Sequence, residues 1–163
     1  MNEFQNDLSA FDAAIAKATT ADEAFTALQD LARAVVGAKL FTVMLVDMQA
    51  ELSRRAYTSD PVSYPASGTK PLNYGPRFDI VHGQREFFVA NTIEDIAEVL
   101  FDHELINQLG CQSVVNVPII LKDELVGCMN LLDVAHHYTP ERLLLIRDVP
   151  SVPAKLAVLA ARL

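Results

Sequence analysis

Residues 113–134 read SVVNVPIILKDELVGCMNLLDV, two apolar runs parted by a short polar turn around Asp123 and Glu124. Runs of this length, rich in β-branched residues and broken by a few polar positions, are the pattern of an antiparallel hairpin with buried strands. A second run, KLFTVMLVD from Lys39 to Asp47, is apolar on both parities and reads as a central strand buried on both faces. After a turn near Met48–Ala50, ELSRRAYTS is more polar and reads as its partner, nearer a sheet edge.

Outward from the strands the periodicity changes. Phe4, Leu8, Phe11 and Ile15 recur at helical spacing and form one apolar stripe. Thr20-Ala21-Asp22-Glu23 is a capping signature in which the Thr hydroxyl caps the third helical amide and the Glu reaches back to the cap amide. The helix it opens carries Phe25, Leu28, Leu31, Ala32 and Val35 on one face, and Gly37 supplies its left-handed stop. RFDIVHGQ suggests a short helix ended by Gly83, EFFVAN a short strand, and TIEDIAEVLFDHELINQLG one or two short helices ended by Gly110. Thr139-Pro140-Glu141 launches a final helix toward Leu163, which Pro150 and Pro153 must interrupt or kink. Between Asp60 and Pro76 the chain is rich in proline and glycine and carries Tyr64 and Tyr74, the composition of a long irregular loop packed as a lid.

Composition narrows the function. A chain of 163 residues with 51% apolar content suits one domain, 1–163, with one core, in which 1–18 is a helix available to a dimer bundle. A net charge of −8 with scattered Lys and Arg argues against nucleic acid, which needs clustered cations to displace counterions. No apolar run approaches the roughly 20 residues that span a bilayer, so a cytoplasmic protein without membrane partners is expected. Cys111 and Cys128 lack metal-ligand spacing and sit in apolar surroundings, which reads as reduced, buried thiols. Nothing matches a phosphate-cradling glycine loop, a nucleophile elbow or a zinc-protease helix.

The stretch from GAKLFTVMLVD through the hairpin and into YTPER resembles a GAF domain. In that family a strand S-V-x-x-V-P-I, a turn, a strand V-G-x-x-N-L and a helix opened by T-P-E follow in this order. They correspond here to Ser113–Ile119, Val126–Leu131 and Thr139–Glu141, and the likeness covers roughly residues 20 to 163. It implies a mixed α+β fold, a five- or six-stranded antiparallel sheet with helices on both faces. It also implies a ligand pocket roofed by the irregular loop and short helices, and terminal helices that pair as a homodimer. The expected function is a small-molecule-binding sensory module, without catalysis or a metal, that signals through a separate output protein. The rival readings are a thiol enzyme of the free methionine sulfoxide reductase type and a purely structural dimerisation module. No cysteine lies between Phe87 and Gly110, where the reductase needs one. No cyclic-nucleotide signature or bilin attachment pattern is recognisable, so the cofactor is left open.

Asn116 and Asn130 interrupt otherwise apolar strands of one hairpin, and their buried amides need partners from either a ligand or each other. Tyr57, Ser59, Tyr64 and Lys70 bring phenols, a hydroxyl and an ammonium to the roof of the implied pocket, for stacking on a planar ligand and neutralising an anion. His103 and, less so, His82 fall near its entrance and are able to exchange protons near neutrality. Cys111, at the mouth of a strand, and Ser113, at the strand's start, complete the candidate ligand-binding set. His136 and His137 read as exposed loop residues without a third metal ligand.

Overall fold

A computed structural model describes residues 3–163, so Met1 and Asn2 of the expected 1–18 helix lie outside the described residues. In chain order the elements are α1 (Gln5–Lys17), α2 (Ala21–Val35), β1 (Leu40–Asp47), β2 (Leu52–Thr58), β3 (Lys70–Pro71), α3 (Pro76–Phe78), β4 (Phe88–Ala90), α4 (Ile93–Ala97), α5 (His103–Gln108), β5 (Ser113–Leu121), β6 (Glu124–Asp133), α6 (Pro140–Asp148) and α7 (Ser151–Ala161). They form two compact units, one from the chain ends, up to Gly37 and from Pro140 to Leu163, and one from Ala38 to Thr139.

In the terminal unit α2 lies against α1, α6 and α7. Thr20 caps α2, its hydroxyl accepting from the Glu23 amide at 3.1 Å. The Glu23 carboxylate reaches back one residue further than expected, to the amide of Thr19 at 3.2 Å. Phe11 is the one fully buried member of the α1 stripe, while Phe4, Leu8 and Ile15 are half-buried. The C-terminal helix is split as the prolines require, since α6 stops at Asp148 and α7 begins after Pro150. Pro153 falls in the first turn of α7, where a missing amide donor costs no helical hydrogen bond.

The central unit is a six-stranded sheet in the order β3-β2-β1-β6-β5-β4, with every pair antiparallel. The fold is therefore α+β, with β1 and β6 at the sheet centre. The β5–β6 hairpin closes through Lys122 and Asp123, with φ of 51° and 62°, a primed turn that matches the strand twist even though neither residue is glycine. Pro118 is tolerated in β5 because β4 pairs only with Val114–Asn116, leaving the proline at an open edge. Gly127 is required where β6 runs beside β1, since a Cβ there would sit 2.5 Å from the Met44 carbonyl oxygen.

Two local expectations differ. The helix after Pro76 is not ended by Gly83. It widens into a π-turn over Asp79–Gln84 and stops at Arg85, which takes a left-handed φ of 58° while its guanidinium holds Asp123 at 2.5 Å. The 60–76 segment is not irregular throughout either, because β3 pairs Lys70 with Ser53 and Pro71 with Leu52. Gly37 and Gly110 do take left-handed stops, at φ 84° and 85°.

Candidate functional site

Side chains alternate across a sheet, so register decides which residues share a face. Thr42 pairs with Asn130, and Asn130 with Asn116, in one row across β1, β6 and β5. On this face Leu40, Val114 and Leu132 pack with Ala90, Ile96, Ile106 and Cys111 at one end. Cys128 and Leu125 pack with Val81 at the other. Between these two apolar clusters lies a cavity of about 370 Å³, inside the size range of small-molecule sites.

Polar groups cross its floor as a directed chain. Arg77 Nη1 donates to Asn116 Oδ1 at 3.4 Å, Asn116 Nδ2 to Asn130 Oδ1 at 2.7 Å, and Asn130 Nδ2 to Thr42 Oγ1 at 3.1 Å. Thr42, Asn116 and Asn130 are all buried, and all line the cavity. The two asparagines thus satisfy one another and face the hollow at once, so the alternatives of amide pair and pocket wall are not exclusive. Each amide nitrogen still keeps a second hydrogen beyond its bond in the chain.

The 60–76 segment forms part of the wall through Tyr64, Ser67, Lys70 and its neighbours up to Asn73. It is pinned to β2, with Ser67 N donating to Arg55 O and Arg55 N to Ser67 Oγ, both at 3.0 Å. A clasp joins it to the α4–α5 turn. Tyr64 Oη donates to Asp102 Oδ2 at 2.5 Å, Arg55 Nη2 lies 3.7 Å from the same oxygen, and the Arg55 guanidinium covers the Tyr64 ring at 3.7 Å. Burial, with the Asp102 bond second, raises the Tyr64 hydroxyl well above the usual phenol range, so it is a fixed donor at any physiological pH.

Four of the nine sequence candidates, Tyr64, Lys70, Asn116 and Asn130, line this cavity, and five do not. Tyr57 stands opposite Val43 on the other sheet face, edge-on to Phe41 at 6.0 Å between ring centroids. Ser59 Oγ accepts from the Phe41 amide at 2.9 Å and fastens the loop's start to β1. His103 opens α5 half-buried, outside the cavity wall, and it is the preceding Asp102 that reaches the cavity. Cys111 is wholly buried in the cluster at the cavity's end, where burial, and then Asp133, push its thiol up to about 11. Ser113 has the wrong parity, and its hydroxyl donates to Val134 O at 2.7 Å. His82 stacks on Phe78 at 4.8 Å, while His137 lies 3.6 Å from Asp133.

Sequence reading missed Arg77, Asp102, Arg55 and Thr42. Thr42 carried a usable signal as a polar residue within KLFTVMLVD, at a parity that register could match to the asparagines. The others gave none, because their roles depend on where loops return to the sheet.

A family model described as GAF domain matches residues 18–149. A search of curated proteins gives no match. Among solved structures, the GAF domain of an Acinetobacter phosphoenolpyruvate-protein phosphotransferase is similar at a TM-score of 0.69 and 12% identity, covering 99% of this chain and 95% of that one. A GAF domain/HD domain protein from Geobacter sulfurreducens has a TM-score of 0.69 at 14% identity, with 91% and 99% covered. The phycoerythrobilin-bound GAF domain of a cyanobacterial phytochrome has a TM-score of 0.67 at 12% identity, with 96% and 95% covered. Identities this low speak for the fold alone, but the family model spans most of the sequence, and the chain belongs to the GAF domain family.

Proposed function

We propose that this chain is a sensory module that captures a small molecule in the cavity beneath the 60–76 segment and performs no chemistry on it. The observation that carries the reading is the hollow itself, about 370 Å³ of mostly apolar wall crossed by an ordered chain of polar side chains. One structural neighbour is named as a phycoerythrobilin-bound GAF domain, which supports ligand binding by a chain of this fold but does not identify the ligand here. The thiol-enzyme alternative is weaker, because Cys111 and Cys128 belong to separate apolar clusters and burial holds both thiols up to about 11. Thiols so protonated are poor nucleophiles near neutrality.

Signalling requires that the ligand distinguish two conformations, since equal affinity for both would shift nothing. The Tyr64–Asp102–Arg55 clasp is a suitable two-state element, closed here and opened to admit a ligand. The signal then passes to a partner protein, with a second copy of this chain paired through terminal helices. Val152, Leu156, Leu159 and Leu163 on or just beyond α7 support that pairing, because they follow helical spacing and are exposed. Native mass spectrometry of freshly purified protein tests capture. The expected result is a bound compound released on denaturation and missing from Cys128→Phe, which fills the cavity floor. If neither a co-purified compound nor any member of a fragment library perturbs cavity residues in the folded wild type, the receptor reading fails.

A further inference from the structure

The charges on the cavity wall do not balance. Arg55, Lys70 and Arg77 face it, against the one carboxylate of Asp102 among the described residues, while Arg54, paired with Leu45, turns to the other face of the sheet. That carboxylate is already committed, accepting from Tyr64 at 2.5 Å and pairing with Arg55 at 3.7 Å. Arg55 is committed in turn, donating also to Pro65 O at 2.8 Å. Among the described residues, neither Arg77 nor Lys70 has a carboxylate within ion-pairing distance. Arg77 has five N–H donors and places one, at a long 3.4 Å, on Asn116 Oδ1. Lys70 Nζ rests 5.9 Å above the Phe101 ring at the rim. The Arg77 charge also acts across the hollow, opposing the burial-driven rise of both the Tyr64 hydroxyl and the Cys128 thiol.

Hydrogen-bonding capacity is skewed the same way at Arg77. Each asparagine in the chain uses one amide hydrogen and one carbonyl lone pair and keeps one of each, whereas Arg77 places only one of its five donors. What is missing from this wall is an acceptor bearing negative charge. A compact inorganic anion fits poorly, because the rest of the wall is apolar and would strip its hydration without compensation. A carboxylate matches the planar guanidinium fork of Arg77 and can carry an apolar body into the remaining space.

We infer that the ligand is a small organic monocarboxylate, its carboxylate set between Arg77 and Asn116 with Lys70 at the rim, and its apolar body against Met44, Val81 and Leu125. The assignment rests on the receptor reading above and adds the ligand's charge class. It is tested with three probes that share one bicyclic body: naphthylacetate, naphthylacetamide and naphthylethylamine, each titrated into the full chain and followed by amide chemical shifts. Naphthylacetate binds at least about tenfold tighter than the neutral amide, the gain expected of one charge-assisted bond, and the cationic amine binds weakest. Arg77→Gln removes that preference, because the charge-assisted bond that separates the acid from the amide is lost. Lys70→Gln, an exposed change with little risk to folding, causes a smaller loss that disappears at high salt. The assignment is overturned if naphthylacetamide binds as tightly as naphthylacetate, or if Arg77→Gln leaves their ratio unchanged. In both cases a receptor for neutral ligands survives. If none of the three shifts a cavity residue, the assignment is overturned, while the receptor reading is decided separately by the co-purified compound and the fragment library.

Discussion

Replacing Asn130 by Leu should expose how strongly the polar chain on the cavity floor holds the sheet together. Asn130 accepts from Asn116 at 2.7 Å and donates to Thr42 at 3.1 Å, so one substitution orphans a buried amide and a buried hydroxyl. Asn116 is 4% exposed and Thr42 3%, which leaves the cavity as the main route by which water could take over. An orphaned buried group costs about 1–3 kcal/mol. The Thr42 hydroxyl can rotate and Leu regains some apolar burial, so the net loss should be about 2–3 kcal/mol. Urea unfolding at neutral pH reads this as a midpoint lowered by about 1 M. The sharper measurement is a double-mutant cycle with Asn116→Leu. Removing both amides leaves no orphan between them, so the double variant should be less destabilised than the two single losses added, by about 1 kcal/mol or more. Strict additivity, or a single-variant loss below about 0.5 kcal/mol, would refute the claim that these amides depend on each other.

Gly127→Ala drives a methyl group against the Met44 carbonyl, which cannot retreat without disturbing the β1–β6 ladder. A loss of about 2–3 kcal/mol is expected in urea unfolding, whereas Gly83→Ala, which meets nothing within 4 Å, should change stability by less than about 0.5 kcal/mol. Burial raises the Cys111 and Cys128 thiols from 9.0 to about 11, so the folded chain keeps protons that the unfolded chain releases. Stability is then intact below pH 9 and falls as pH rises toward 11, by about 2 kcal/mol per thiol near the top of that window. The double Cys111→Ser, Cys128→Ser variant should flatten this alkaline slope, and an unchanged slope would assign it to other groups. Leu156→Glu places a charge in the exposed α7 stripe, and light scattering should show a wild-type dimer and a monomeric variant with unaltered circular dichroism. A wild-type chain that is monomeric at high concentration would remove the pairing reading.

Sequence alone determined what local physics controls. The β5–β6 hairpin, the Thr20 cap, the Gly37 and Gly110 stops and the break at Pro150 all follow from residue patterns within a few positions of one another. Parity and turn chemistry sufficed there because the competing conformations differ locally. Tertiary structure decided the cavity. Whether Asn116 met Asn130 depended on register, and a shift of one residue would have turned either side chain to the opposite face. Arg77 comes to the site from the short α3 and Asp102 from the residue before α5, and no periodicity in segments this short reports where the chain will fold back. The same reason accounts for Tyr57 and Ser113, whose residue types suited a binding site but whose parity placed them elsewhere. Backbone pattern sets the faces of a sheet, but only long-range packing chooses which distant charges meet above them.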